Sequence, residues 1–220
     1  MSRRLVIFDA DGTLVDTVED VAECFNQALV AAGYPSSTLE GVSAQLGKPL
    51  EEIVRGILPP DIAREDAAVT AVSQAYRKAY ASSPKSRTRP YPGVSKALRQ
   101  LLDSGMQIAV NSNKPHDNLV RLMDRFFSDL PLLVSGYGNV GIKSAKPDPE
   151  GARWLMTKAK VTPAETLYVG DTRIDVDTAS NAGVGCVVVA WGQGTDEFYR
   201  DPRIERVVMD TDELIVACGR

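Results

Sequence analysis

Two aspartates set two residues apart, Asp9 and Asp11, end the apolar run Leu5-Val6-Ile7-Phe8, and Gly12 follows at once. Residues i and i+2 of a strand share a face, and where the chain turns at a strand end both carboxylates can converge on one small volume. Two carboxylates that close resist joint ionisation unless a cation or a shared proton compensates. The chemistry that suits such a pair is a carboxylate nucleophile beside an acid/base, held by a divalent metal.

Three further segments carry chemistry of a matching kind. Asn111-Ser112-Asn113-Lys114-Pro115 follows an apolar run that ends at Val110. A hydroxyl with adjacent backbone N–H groups at a strand end cradles phosphate oxygens, and the same pattern also suits a polar turn that caps a helix. Ala145-Lys146-Pro147-Asp148-Pro149 sets a lysine before a proline-started helix, where it can offset the charge of a phosphate and of the aspartates; Lys143 competes for that role. Val169-Gly170-Asp171-Thr172-Arg173-Ile174-Asp175 ends another run on a carboxylate, with a second one helical turn later. Asp177 falls on another face of that helix and reads as solvated.

The elements that must position these residues alternate. Strands are expected at Leu5–Phe8, Gln107–Val110, Leu132–Val134, Thr166–Val169, Cys186–Ala190 and Arg206–Met209. Helices are expected at 94–102, 117–127, 149–159, 174–182 and 212–218. Such alternation implies a parallel sheet covered by helices, with ligands outside the carboxyl ends of the strands. Directly after the first strand the rhythm changes to helical spacing: Val18, Val21, Ala22, Phe25, Ala28 and Leu29 share a face, Gly33 is a stop, and apolar stripes continue to about residue 82. The division expected is a discontinuous α/β core, residues 1–16 and 91–220, with an inserted all-helical cap, residues 17–90.

Composition narrows the class. With 220 residues, 44% of them hydrophobic, the chain has globular proportions, and a net charge of −4 argues against a nucleic-acid partner. A small phosphorylated metabolite needs only local cations. Cys24, Cys186 and Cys218 are widely spaced and odd in number, which points to a reducing, cytoplasmic setting rather than a disulfide framework. The apolar run after Arg3-Arg4 is too short for a signal peptide or a membrane span. His116 reads as a residue at a helix N-terminus, and Trp154 and Trp191 as packing residues.

The four segments, in this order and each beside an expected strand end, resemble the signatures of the haloacid dehalogenase superfamily, and in particular its magnesium-dependent phosphatases. The resemblance covers nearly all of the core. It implies a Rossmann-like core with a helical cap between the first and second signatures. It implies Asp9 as nucleophile forming an aspartyl-phosphate and Asp11 as acid and then base. Ser112, Asn113 and Lys146 would hold phosphate oxygens. Mg²⁺ would lie on Asp9, Asp11 (through its backbone carbonyl) and Asp171, with Asp175 ligating through water or orienting the others.

Within the superfamily, Asp11 argues against the dehalogenase and phosphonatase branches, which replace it. Sugar phosphomutases usually carry a histidine where this chain has Asp20. The run Asp16-Thr17-Val18-Glu19-Asp20 and the segment Leu46-Gly47-Lys48-Pro49-Leu50 are more similar to the phosphoglycolate phosphatase-like and pyrophosphatase-like groups. The arginine that often precedes this glycine is absent from Val42-Ser43-Ala44-Gln45, so Lys48, and less strongly Arg55, are the cap cations to consider. A phosphoglycolate phosphatase-like hydrolase is the leading reading. A pyrophosphatase, a mutase and a non-catalytic binding or regulatory protein are the alternatives, and the oligomeric state is left open.

Overall fold

Apolar runs without alternation form strands buried on both faces, as at the centre of the sheet, and six strands build one sheet. They are β1 (Leu5–Phe8), β2 (Gln107–Pro115), β3 (Leu132–Tyr137), β4 (Thr166–Gly170), β5 (Gly185–Val189) and β6 (Ile204–Val208). The computed structural model describes residues 3–219. The strand order is β3-β2-β1-β4-β5-β6, and every neighbouring pair is parallel. Strand order therefore reverses at β1. The carboxyl ends of β1, β2 and β4 border the crevice where ligands bind in such sheets.

Alternating side chains of β1 feed two different layers, since successive strand residues point to opposite faces. Val6 and Phe8 join a cluster with Leu98, Leu119, Leu122 and Leu214, from helices Val94–Asp103, His116–Phe127 and Thr211–Cys218. Leu5 and Ile7 join Leu155, Tyr168 and Val176, with helices Glu150–Ala159 and Arg173–Ala182 on that side. This is the α/β architecture that strand–helix alternation predicts.

The chain forms two compact units, Met1–Asp16 with Pro90–Arg220, and Thr17–Arg89. The second unit is helical: Val18–Ala31, Leu39–Ser43, Leu50–Ile57 and Asp66–Ser82 surround their own apolar cluster, in which Phe25 stacks on Tyr76 with ring centroids 3.9 Å apart. Asp20 is buried there and accepts hydrogen bonds from Thr88 N (2.6 Å), Thr88 Oγ1 (2.6 Å) and Arg87 N (3.0 Å), pinning the last residues of the unit to its first helix.

One difference from the sequence reading matters for the site. The segment Asn111–Pro115 is not a loop after the strand but its continuation. Asn111 and Ser112 keep the pairing with Ser135 and Gly136, Pro115 pairs with Tyr137, and the register shifts between Ser112 and Pro115. The polar residues hid a strand whose partner lies far along the chain.

Candidate active site

Asp9 is the first residue beyond β1, and its N–H donates to Val169 O at 2.8 Å, which ties the turn to the end of β4. The chain then reverses tightly, with Leu14 N and Val15 N both donating to Ala10 O. Gly12 sits at φ +86°, and a Cβ there would lie 2.2 Å from Asp171 Oδ2. Only glycine meets both demands.

Asp171 follows β4 directly and is fully buried. Thr13 Oγ1 donates to its Oδ1 (2.9 Å) and Gln193 N to its Oδ2 (2.9 Å). Asp175 is equally buried, on the first turn of helix Arg173–Ala182. Its Oδ2 accepts from Thr172 Oγ1 (2.8 Å) and Thr172 N (3.1 Å), and its Oδ1 from Lys146 Nζ (2.7 Å). Carboxylate oxygens of Asp9, Asp171 and Asp175 all lie within 4.8 Å of one another.

Lys146 Nζ bridges this group, 2.8 Å from Asp9 Oδ1 and 2.7 Å from Asp175 Oδ1. Asn113 holds the lysine by its backbone: Asn113 Oδ1 accepts from Lys146 N (2.6 Å) and Asn113 Nδ2 donates to Lys146 O (3.1 Å). The Asn113 side chain is thus engaged in placing Lys146, a task not assigned to it from sequence. The competing Lys143 is exposed. Ser112 is buried at the end of β2 and lines a cleft with Asn111, Asn113, Gly136 and Lys146. Its Oγ accepts from Lys114 N at 3.1 Å.

Asp11 turns its carboxylate toward Lys114, with Nζ 3.1 Å from Oδ2. The Asp9–Asp171–Asp175 cluster is built without that carboxylate. Lys48 belongs to the helical unit, where its Nζ donates to Gln45 Oε1 at 2.7 Å; Arg55 is engaged there with Asp66 and Ala63 O. His116 opens its helix and its Nδ1 accepts from Gly136 N (3.3 Å). Trp191 packs on the core, and its Nε1 also donates to Thr13 O at 3.1 Å, a tether for the Asp9 turn. Asp177 pairs with Arg203. Sequence reasoning missed Thr13 and Lys114. Thr13 was within reach, since it follows the aspartate pair directly; the Lys114 contact carries no local signal.

Electrostatics single out the cluster. Burial drives the Asp9 carboxyl up to about 7, with Lys146 pulling it back and Asp175 and Asp11 adding to the rise. Burial, then Asp175 and Asp9, hold Asp171 well above the carboxylate range. Burial alone would lower the pKa of Lys146, but Asp175 and Asp9 outweigh burial and hold the ammonium well above its ordinary value. Two ionised carboxylates within 4.8 Å repel by about 3 kcal/mol at an effective dielectric of about 20, and one ammonium offsets three carboxylates only in part. Lys146 Nζ, 2.8 Å from Asp9 Oδ1, is the partner this buried oxygen has. An all-oxygen donor set with surplus negative charge fits a hard divalent cation.

Comparison with known proteins gives the family and the fold. The family model of the haloacid dehalogenase-like hydrolases matches residues 6–189. The chain is 36% identical to a phosphoglycolate phosphatase of Pseudomonas putida, over 98% of this chain and 80% of that protein. It is 33% identical to phosphoglycolate phosphatase 1 of Pseudomonas aeruginosa, over 86% of this chain and 70% of that protein. A crystal structure from Lactobacillus delbrueckii subsp. bulgaricus shares the fold with a TM-score of 0.91 at 24% identity, over 100% of this chain and 99% of that one. With its two strand-end aspartates gathered at the reversal of a parallel sheet, the chain belongs to the haloacid dehalogenase-like hydrolase family, as one of its phosphatases.

Proposed function

We propose that the chain hydrolyses a small phosphomonoester with Mg²⁺ through an aspartyl-phosphate on Asp9. The observation that carries this reading is the Asp9 carboxylate itself, buried beside Asp171, Asp175 and Lys146. Asp9, Asp171 and the Asp11 backbone carbonyl would hold the metal, with Asp175 beside them; when bound, the ion screens the carboxylates from the incoming phosphate.

Asp9 forms a bond to phosphorus as the bond to the leaving oxygen breaks, and Asp11 gives that oxygen its proton. Asp11 then takes a proton from water, the water oxygen bonds to phosphorus, and the acyl-phosphate bond breaks to regenerate Asp9. The cycle returns both carboxyl groups to their starting states. Lys146, fixed by Asn113, and Ser112 hold phosphate oxygens. The helical unit acts as the cap that reads the leaving group.

Phosphoglycolate is the first substrate to test, because relatives at 36% and 33% identity carry that activity in their names. Val42-Ser43-Ala44-Gln45 supplies no arginine before Gly47, so other small phosphomonoesters are tested alongside it. The decisive experiment measures phosphate release from phosphoglycolate and from p-nitrophenyl phosphate with and without Mg²⁺, for the native chain and Asp9→Asn. Metal-dependent release by the native chain and its loss in a folded Asp9→Asn variant is the expected result. Near-native turnover by Asp9→Asn would overturn the reading, and no release by the native chain would favour a binding protein.

A further inference from the structure

The geometry points to Lys114 as the positioning residue for Asp11. This rests on the proposed role of Asp11 as acid and base. Three consecutive residues at the end of β2 have three different tasks. Ser112 Oγ accepts from Lys114 N, Asn113 clamps the backbone of Lys146, and Lys114 Nζ reaches Asp11 Oδ2 at 3.1 Å. Regular strand pairing cannot send neighbouring side chains to such different places. Here Ser112 pairs with Gly136 and Pro115 with Tyr137, so Asn113 and Lys114 are extra residues on one strand. A bulge of this kind re-aims side chains next to a site. Gly136 makes room for it: a Cβ at Gly136 would lie 2.7 Å from Lys114 O and from His116 Cα.

A surface lysine on a solvated tether holds a partner weakly, because it loses rotamer freedom to do so. Lys114 differs, since its side chain is only 7% exposed and that of Asp11 16%. The stem is packed, so the ammonium is a fixed point rather than a floating charge. Asp11 sits on a tight turn after β1, two residues beyond Asp9, and must serve two oxygens in turn: the leaving group, then the attacking water. A fixed cation on its Oδ2 orients the carboxyl for both.

The two half-reactions give the test. p-Nitrophenolate leaves as a stable anion and needs no proton, whereas an alkoxide needs one. Hydrolysis of the phosphoenzyme needs the base with either substrate. In Lys114→Met, the expected result with p-nitrophenyl phosphate is a retained burst of nitrophenolate, stoichiometric with enzyme, followed by a steady state slowed about 10²-fold, the scale of a misplaced catalytic group. With ethyl phosphate, kcat falls by a similar factor, no burst appears and KM stays near native. Lys114→Arg restores part of both rates. A metal-free crystal structure of Lys114→Met shows the Asp11 carboxylate moved.

Native kinetics in both phases for Lys114→Met would overturn the inference, as would a rise in KM alone, which would make Lys114 a substrate contact. If Lys114→Met does not fold, Lys114→Gln takes its place. Failure of the underlying reading is separable: it appears as inactivity of the native chain or activity of Asp9→Asn, whatever Lys114 does.

Discussion

At the scale of single residues, the site is a problem of charge in a dry place. Asp9, Asp171 and Asp175 are 2%, 0% and 0% exposed, with one ammonium among them, that of Lys146 at 4%. The Asp9 carboxyl is raised to about 7, from an ordinary value near 4, chiefly by burial. Between those pH values the folded chain holds a proton that the unfolded chain has lost. The contribution of Asp9 to stability is therefore greatest below pH ~4 and declines as the pH rises toward ~7. Thermal unfolding of the metal-free native chain and of Asp9→Asn, measured from pH 4 to 8, isolates it: the native chain should lose stability relative to the variant as pH rises, and Mg²⁺ should reverse the loss through binding to the folded state. Parallel curves would show that the Asp9 carboxyl is not raised in the folded chain. The convergence of these residues is legible in the sequence because each aspartate directly follows an apolar run that forms a strand, or lies one helical turn beyond. Lys114 is not legible. Nothing near it in the chain distinguishes it from a solvated lysine, and its partner Asp11 is reached only once β1 and β2 pair.

Elements decide where such residues aim. Some boundaries follow from local signals: Gly33, at positive φ, stops the helix 18–31, as its placement after an apolar stripe predicts, and Gly183 closes 173–182 in the same way. The end of β2 does not follow, because Asn111–Pro115 has the composition of a turn and is a strand only by virtue of Ser135–Tyr137 beside it. Gly136 is the test of that element. A methyl group there meets backbone atoms of Lys114 and His116 at 2.7 Å, and backbone cannot swing aside as a side chain can. Gly136→Ala should cost about 1–3 kcal/mol by overpacking. It should also lower kcat more than the stability loss explains, since Ser112, Asn113 and Lys114 all lie on the displaced strand. Denaturant unfolding with parallel kinetics checks this; a stable, fully active variant would show that the bulge has slack. The cis bond at Lys146-Pro147 and the αL residue Lys160 are further local features that the sequence does not announce.

For the whole molecule, the question is whether the helical unit is an insert or part of the foundation. Its apolar cluster, which includes Phe25, Leu29, Val54 and Val72, shares none of the described residues with the two clusters that flank the sheet. The core chain also closes on itself where the insert departs, since Tyr91 N donates to Leu14 O at 3.1 Å. Replacing residues 17–89 by a short Gly-Ser linker should therefore leave a folded core. Cysteine reactivity gives a sensitive readout. Cys186 and Cys218 belong to the core, are buried, and have thiols raised by burial, that of Cys218 to about 12, whereas Cys24 leaves with the insert. In the shortened chain both remaining thiols should resist a thiol reagent at pH 8 until denaturant is added, and Mg²⁺ should still raise the unfolding temperature. If the helical unit reads the leaving group as proposed, activity on p-nitrophenyl phosphate should persist at a reduced level while preference among phosphomonoesters collapses. Immediate labelling of both thiols would mean that the sheet depends on the helical unit for its own packing, and the insertion would then be an integral part of one folding unit.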